Sequence, residues 1–206
     1  HHGVAWYWRD FPAPADPHGG GRYLLRFWAV DYLAEVWLNG TSVGKHEGGE
    51  EPFVLDVTGA VRPGAENRLA VRVLNPTASP IDGIVLGETP RRNKTDPYTP
   101  GSDFNYGGIT DSVELLVTAR VWVEDLYVRP DPATGNLRIA VGLRNSTGAA
   151  ARGRIDLAAA PAAGGPTIAA VRIDRDLPAG PSTVEASLTV PGPRRRPAAP
   201  RDRRAE

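Results

Sequence analysis

The sequence predicts an all-β protein, and three observations carry that prediction. Apolar and polar residues alternate with a period of two in several short segments, as they do in strands that bury one face. The chain has 23 glycines and 20 prolines, which place turns between these segments because both residue types interrupt helices. No segment carries the apolar stripe of period 3.6 that an amphipathic helix requires.

In the first half, strands are predicted at residues 22–30, 34–38 and 68–74. The first two are rich in apolar residues, which favours a central position in a sheet. In the third, Leu69, Val71 and Val73 point to one face and indicate a half-buried strand. Asn39 and Gly40 follow residues 34–38 and predict a two-residue hairpin, because both tolerate positive φ.

In the second half, alternation marks strands at residues 137–145 and 184–190, with turn signals about every ten residues, as in small sandwiches. One strand-like run ends near residue 118 and another begins near 121, so the domain boundary is placed between 119 and 120.

Residues 74–106 lack alternation and are rich in Pro, Asn, Asp, Thr and Gly. A loop of that length in a compact domain is functional or disordered.

The composition of the chain argues against several classes of function. Lys and Arg number 24, as do Asp and Glu, so no net charge attracts nucleic acid or anionic membranes. No apolar run approaches the roughly 20 residues of a membrane-spanning helix. The chain has no cysteine, which removes thiolate catalysis and Cys-bound zinc and suits a reducing cytoplasm. Residues 1–10 lack a signal-peptide pattern. The histidines have no partners at ligand spacing, so neither a metal nor a cofactor is expected.

Aromatic residues crowd the first forty positions, among them Trp6, Trp8, Phe27 and Trp37. Aromatic side chains on a sandwich face can stack on sugar rings, and they can also fill a core. Phe27 and Trp37 are predicted to lie in the core because their strands look central. Arg9 and Asp10 are predicted to form an ion pair of little consequence for stability.

No catalytic constellation emerges from the residues. No serine lies in a Gly-x-Ser-x-Gly turn. Glycosidic cleavage with retention needs two carboxylates about 5–5.5 Å apart. Glu50 and Glu51 are neighbours in sequence and would point to opposite faces of a strand. No catalytic residue is therefore assigned.

A series of sequence blocks nevertheless resembles the N-terminal sugar-binding domain of glycoside hydrolase family 2. The order and spacing of the blocks make the resemblance specific, although each block alone is weak. The blocks are GVAWYWRDF at 3–11, LRFWAVDY at 25–32, AEVWLNG at 34–40, VGKHEGG at 43–49, PFVLDVT at 52–58, NRLAVRV at 67–73, SDFNYGGI at 102–109 and VEDLYV at 123–128.

The resemblance implies a jelly-roll sandwich over residues 1–119 and an immunoglobulin-like sandwich over 120–190. In the family a (β/α)8 barrel follows and carries both catalytic carboxylates, so this chain alone is expected to be inactive. The SDFNYGGI block is most similar to β-glucuronidases. In these relatives the loop before the Gly-Ile element, which includes the Asp of the Asp-Phe-Asn-Tyr stretch, reaches the substrate sugar. The resemblance therefore implies that Asp103, Asn105 and Tyr106 bind substrate. For Asp103, a turn-capping role is equally compatible with the sequence.

The last segment, residues 191–206, departs from the family pattern. It holds six arginines against one aspartate and one glutamate, and three adjacent arginines cannot fill a core. A basic arm for nucleic acid is one interpretation, and a shifted reading frame or a truncated gene is the favoured one. We expect the tail to be disordered.

The function that the sequence favours is the non-catalytic N-terminal part of a retaining β-glycosidase, with carbohydrate as ligand and the barrel as partner. One alternative is a free-standing carbohydrate-binding protein, which would need an exposed aromatic surface. Another is a protein-interaction module with the same fold. The sequence leaves the sugar, the linkage and any homo-oligomer open.

Overall fold

A computed structural model describes residues 2–49, 51–85 and 107–191. The protein divides into two compact units, His1–Ala119 and Arg120–Glu206. Its described residues form strands and turns without any α-helix, which confirms the all-β prediction. None of these residues forms a helix long and apolar enough to cross a bilayer. Residues 86–106 and 192–206 lie outside the described part of the chain, and with them most of the predicted loop at 74–106 and of the basic tail at 191–206. The loop prediction begins two residues too early, since Leu74 and Asn75 still belong to the strand Glu66–Asn75.

Unit 1 contains two main sheets and a short strand pair. One sheet has the order β1-β7-β4-β5, the second has the order β6-β2-β9, and β3 pairs with β8. The pairings between these strands are antiparallel. The strands are β1 Gly3–Pro12, β2 Arg22–Phe27, β3 Val30–Asp31, β4 Leu33–Leu38, β5 Thr41–Glu47, β6 Phe53–Asp56, β7 Glu66–Asn75, β8 Gly108–Ile109 and β9 Val113–Thr118.

The core of unit 1 lies between the two main sheets and defines a sandwich. Alternate residues of β4 and β7 face it, and apolar residues of β2 and β6 meet them from the other side. Phe27 is fully buried and stacks on Phe53, with ring centroids 4.8 Å apart. Because successive strand residues point to opposite faces, the other residues of β4 and β7 form the outer surface of their sheet.

The predicted hairpin joins β4 to β5. Asn39 and Gly40 have φ values of 53° and 83°, as a tight two-residue turn requires. The Asn39 amide then reaches back to β7: its Nδ2 donates to Asn67 Oδ1 over 2.7 Å, and its Oδ1 accepts from the Arg68 N–H over 3.0 Å. Asn67 is buried and also exchanges hydrogen bonds with the backbone of Arg62. A satisfied buried amide therefore pins the hairpin to the central strand.

Unit 2 consists of a three-stranded sheet, β10-β11-β14, and the pair β12-β13. Alternate residues of β11, among them Val141, pack with β14 and with the inner residues of β12 and β13 around a second core. The two sheets thus enclose a smaller sandwich core. The strands are β10 Val121–Asp131, β11 Asn136–Asn145, β12 Ala151–Ala159, β13 Ala169–Leu177 and β14 Gly180–Thr189.

Two predictions about side chains in unit 1 were wrong. Trp37 is not a core residue: Val36 and Leu38 face the core, so Trp37 lies on the outer face of β4 and is half-buried there. Asp10 does not pair with Arg9 but with Arg68 on the neighbouring strand. Both errors arise because alternation determines which residues share a face but leaves open which face is buried.

We predict that Phe27→Ala destabilises unit 1 by about 3–5 kcal/mol, because it leaves a cavity beside Phe53 and removes buried apolar surface. Urea unfolding followed by tryptophan fluorescence measures this, since Trp6, Trp8, Trp28 and Trp37 all lie in unit 1. Val54→Ala is the matched control: Val54 is 50% exposed on β6, and its truncation should stay within about 0.5 kcal/mol. Equal effects of the two changes would contradict the core described above.

Candidate functional site

The three residues that the family resemblance assigns to substrate, Asp103, Asn105 and Tyr106, lie outside the described residues. The first described residue after them is Gly107, which belongs to unit 1. A Cβ on Gly107 would come within 2.1 Å of the Asn75 side chain. Any residue with a Cβ would therefore clash with Asn75, and only glycine fits at position 107. Gly108 then pairs with Asp31 in the β3-β8 ladder. Asn75, the last residue of β7, is itself buried, so Gly107 is packed against the end of the central strand.

A more complete site lies on the outer face of the β1-β7-β4-β5 sheet. On β1, alternation places Trp6, Trp8 and Asp10 on the outer face, opposite Arg72, Ala70 and Arg68 of β7 respectively. On β4, Trp37 also lies opposite Ala70. The small side chain of Ala70 thus separates two tryptophans on the strands that flank it. We call the surface formed by Trp6, Trp8 and Trp37 the tryptophan face.

Within the tryptophan face, the indole ring of Trp6 contacts the rings of both Trp8 and Trp37. Trp6 stacks on Trp8 with centroids 5.8 Å apart and an interplanar angle of 12°, and it packs on Trp37 at 5.3 Å and 33°. Trp6 is therefore held between the other two. Trp8 lies at the outer end of the cluster and is 65% exposed, against 44% for Trp6. Such a large exposed aromatic side chain, fixed by its neighbour, is typical of a contact surface.

Ion pairs border the tryptophan face at both ends. Arg68 donates through Nε to Asp10 Oδ1 and through Nη2 to Asp10 Oδ2, both over 2.7 Å. At the opposite end, Arg72 donates to Glu35 over 2.6 Å and also to Asp82. The hydrogen bond from Arg68 lowers the pKa of the Asp10 carboxyl. The face therefore combines apolar rings with planar donors and acceptors that remain charged at neutral pH.

A second feature is a groove at the open side of the sandwich, where the edge strands β1 and β9 face each other. Its volume is about 530 Å³. Leu25, Leu69 and Leu115 lie at its base, while Arg9 and Glu114 are its charged residues. Glu114 is the one carboxylate of its lining and is paired with Arg26. The groove therefore lacks the two carboxylates that glycosidic cleavage uses.

Metal ligands do not converge within the part of the chain that the structure describes. No group of three or more His, Asp or Glu side chains there is arranged to hold an ion. His46, one of the few histidines, lies in β5 and stacks on Phe53 at 4.2 Å. Its ring therefore packs at the border of the core.

Comparison with known sequences supports the resemblance. The family described as "Glycosyl hydrolases family 2, sugar binding domain" matches residues 1–119. The chain belongs to glycoside hydrolase family 2. The β-glucuronidase of Paenibacillus borealis is 31% identical over 137 residues, which cover 64% of this chain and 23% of that protein. The β-glucuronidase of Sus scrofa is 32% identical over 139 residues, 63% of this chain and 21% of that protein. The chain thus spans under a quarter of these curated relatives.

Solved structures of family 2 members share the fold. A family 2 glycosyl hydrolase from Bacteroides cellulosilyticus superposes with a TM-score of 0.72 at 22% identity, covering 93% of this chain and 24% of that one. A β-glucuronidase of the family superposes with a TM-score of 0.74 at 20% identity. The superposition covers 92% of this chain and 20% of the β-glucuronidase chain. The fold of the chain is therefore that of the corresponding part of these hydrolases.

Sequence reasoning missed the tryptophan face of this family 2 chain. The sequence marks β1 by its aromatic residues, but it does not indicate which strand pairs with β1. The signal was the complementary alternation of β1 and β7: Trp-x-Trp-x-Asp at 6–10 runs antiparallel to Arg-x-Ala-x-Arg at 68–72. Opposite charges favour facing positions on adjacent strands, so the pattern is compatible with a pairing of Asp10 with Arg68, but it does not by itself select β7 as the partner of β1.

We predict a pH-dependent effect of Asp10→Asn. Arg68 lowers the pKa of Asp10 in the folded state. The carboxylate therefore stabilises the fold at pH values above the pKa that Asp10 has in the unfolded chain, which is about 3.9. That stabilisation is lost as pH falls through the folded-state pKa. The Tm of wild type should exceed that of D10N slightly at pH 7, and the difference should shrink below about pH 4.

The control for this prediction is the same substitution in an Arg68→Gln background. Without the guanidinium, Asp10→Asn should change Tm equally at all pH values, because the partner that lowers the pKa is gone. A wild-type difference that does not vary between pH 7 and pH 2 would contradict the assignment of this ion pair.

Proposed function

We propose that this chain is the non-catalytic N-terminal part of a retaining family 2 glycosidase that hydrolyses terminal β-glycosidic bonds. A β-glucuronide is the favoured substrate and a β-galactoside the second choice. The observation that carries the proposal is the alignment of this chain with proteins named β-glucuronidase, of which it covers 21–23%. General acid and nucleophile would come from a barrel outside these 206 residues.

In this proposal unit 1 is a jelly roll that holds a substrate loop in place. Asp103, Asn105 and Tyr106 would contact the terminal sugar. A carboxylate such as Asp103 can accept hydrogen bonds from two hydroxyls, with charge-assisted strength. The packing of Gly107 against the buried Asn75 supports this role, because a loop anchored next to its functional residues places them reproducibly.

Unit 2 would be an immunoglobulin-like sandwich between the sugar-binding domain and the barrel. Its support is the arrangement of a three-stranded and a two-stranded antiparallel sheet around one apolar core. In this role unit 2 has no chemistry of its own and acts as a spacer.

A second candidate function is a free-standing carbohydrate-binding protein. The exposed tryptophan face favours it, because such a protein needs an aromatic surface in contact with solvent. The two candidates differ in one respect that can be measured: the first requires a barrel for function, and the second does not.

We predict that the purified chain releases no nitrophenol from 4-nitrophenyl β-D-glucuronide or 4-nitrophenyl β-D-galactoside. Fused in place of the corresponding N-terminal segment of the Paenibacillus borealis β-glucuronidase, it should support hydrolysis of the glucuronide. The same relative with its own N-terminal segment is the positive control. Turnover by the chain alone that survives repeated purification would overturn the proposal, as would a folded but inactive fusion.

In that fusion, we predict that Asp103→Ala lowers kcat/KM for the glucuronide about ten- to a hundredfold. A hydrogen bond to a charged group contributes about 1.5–3 kcal/mol, and each 1.36 kcal/mol is a decade in rate. Part of the loss should appear in kcat, because contacts remote from the scissile bond can act in the transition state. Asp111→Ala, in an exposed turn nearby, should leave kcat/KM within about twofold. A lower Tm with unchanged kinetics for Asp103→Ala would instead show that Asp103 caps a turn.

A further inference from the structure

We propose that the tryptophan face binds a pyranose ring of a carbohydrate, which stacks on Trp8 while Asp10 and Arg68 hydrogen-bond its hydroxyls. The class of ligand rests on the proposed function, but the site does not involve the loop at 103–106. The residues that would contact the sugar lie on the described strands β1 and β7, and Trp37 on β4 supports them through Trp6.

The aromatic part of the site is built before any ligand arrives. One face of Trp8 is stacked on Trp6, which in turn packs on Trp37, and Trp8 is 65% exposed. Its orientation is therefore set by protein contacts, so that a ligand does not have to immobilise it. The C–H groups of a pyranose make one side of the sugar apolar, and that side packs against an indole ring.

The polar part of the site lies beside Trp8 on the same face. Asp10 is two residues along β1, about 7 Å away, and its pair with Arg68 is planar and more than half exposed, 55% for Asp10 and 69% for Arg68. Arg68 uses Nε and Nη2 for Asp10, which leaves further guanidinium N–H groups free to donate. The carboxylate oxygens keep lone pairs that can accept. A sugar seated on Trp8 thus meets donors and acceptors at its edge.

The charges on this face favour a sugar over an apolar protein surface or a simple anion. Arg68 is neutralised by Asp10, and Arg72 by Glu35 and Asp82. Neither of these two arginines therefore offers an uncompensated positive charge to an anion. An apolar partner would bury the Asp10–Arg68 pair without replacing its water, which costs free energy. A polyhydroxylated ring covers the indole and hydrogen-bonds the pair at the same time.

The site can be tested by NMR on the whole chain. We would titrate cellotetraose, β-1,4-galactotetraose and a hyaluronan hexasaccharide into labelled protein and follow the indole N–H signals of the tryptophans. The expected result is a saturable shift of the Trp8 signal with at least one of these probes. No shift of Trp8 with any of them at about 10 mM, a concentration that detects even millimolar Kd values, would overturn the proposal.

Variants then test which residues bind. Trp8→Ala and Arg68→Ala should each weaken the affinity for the active probe about tenfold or more, and Trp8→Phe should lose less because a ring remains. Trp28→Ala is the matched control: Trp28 is 40% exposed, lies under the Arg26 guanidinium and is outside the tryptophan face. The affinity of the Trp28→Ala variant for the active probe should stay within about twofold of the wild-type affinity. Equal losses for Trp8→Ala and Trp28→Ala, or none for Trp8→Ala, would overturn the proposal; an unchanged backbone spectrum shows that each variant is folded.

The outcome separates this site from the proposed function. Hydrolysis by the fusion is measured on small aryl glycosides, whereas binding to the tryptophan face is measured on the chain itself. An inactive fusion with a saturable Trp8 shift would refute the glycosidase role alone. An active fusion without any Trp8 shift would refute the carbohydrate site alone.

Discussion

The strand β7 is the element on which unit 1 depends. It pairs with β1 on one side and with β4 on the other over most of its length. Its inner residues Leu69, Val71 and Val73 are buried in the core. Its outer residues Arg68, Ala70 and Arg72 lie opposite the outward-facing residues of β1 and β4, among them the three tryptophans. Because the side-chain period of a strand is two, a shift of one residue in its register would exchange the two sets. Arginines would then enter the core, so a single register satisfies both faces.

That register places chemically different groups on each side of one sheet. On the inner side apolar residues close the sandwich, and Asn67 holds the β4-β5 hairpin against β7. On the outer side, the small residue Ala70 lies between Trp8 and Trp37, with Trp6 in contact with both rings. The aromatic surface is thus a consequence of strand pairing and not of the N-terminal sequence alone.

Membership of glycoside hydrolase family 2 suggests how the loop at 103–106 and the tryptophan face of unit 1 would serve one enzyme. The chain spans under a quarter of the length of its curated relatives, and among the described residues the groove between β1 and β9 is lined by one carboxylate, Glu114. In the proposed enzyme, unit 1 would anchor one loop that reaches the substrate. The rigid outer face would contact more of the carbohydrate. Both roles use a stable sandwich to position a few polar groups.

The sequence by itself determined the fold class, the main strands, the Asn39–Gly40 turn and the family. These features depend on local periodicity, on backbone preferences at two residues, and on blocks whose order is read directly along the chain. Only the tertiary structure decided that Trp37 faces outward, that Asp10 pairs with Arg68, and that Trp6 packs against both Trp8 and Trp37. Alternation defines two faces for each strand, but which face is buried and which strand lies alongside depend on pairings between residues more than fifty positions apart. Such pairings depend on the packing of the whole sandwich, because no short segment contains both partners.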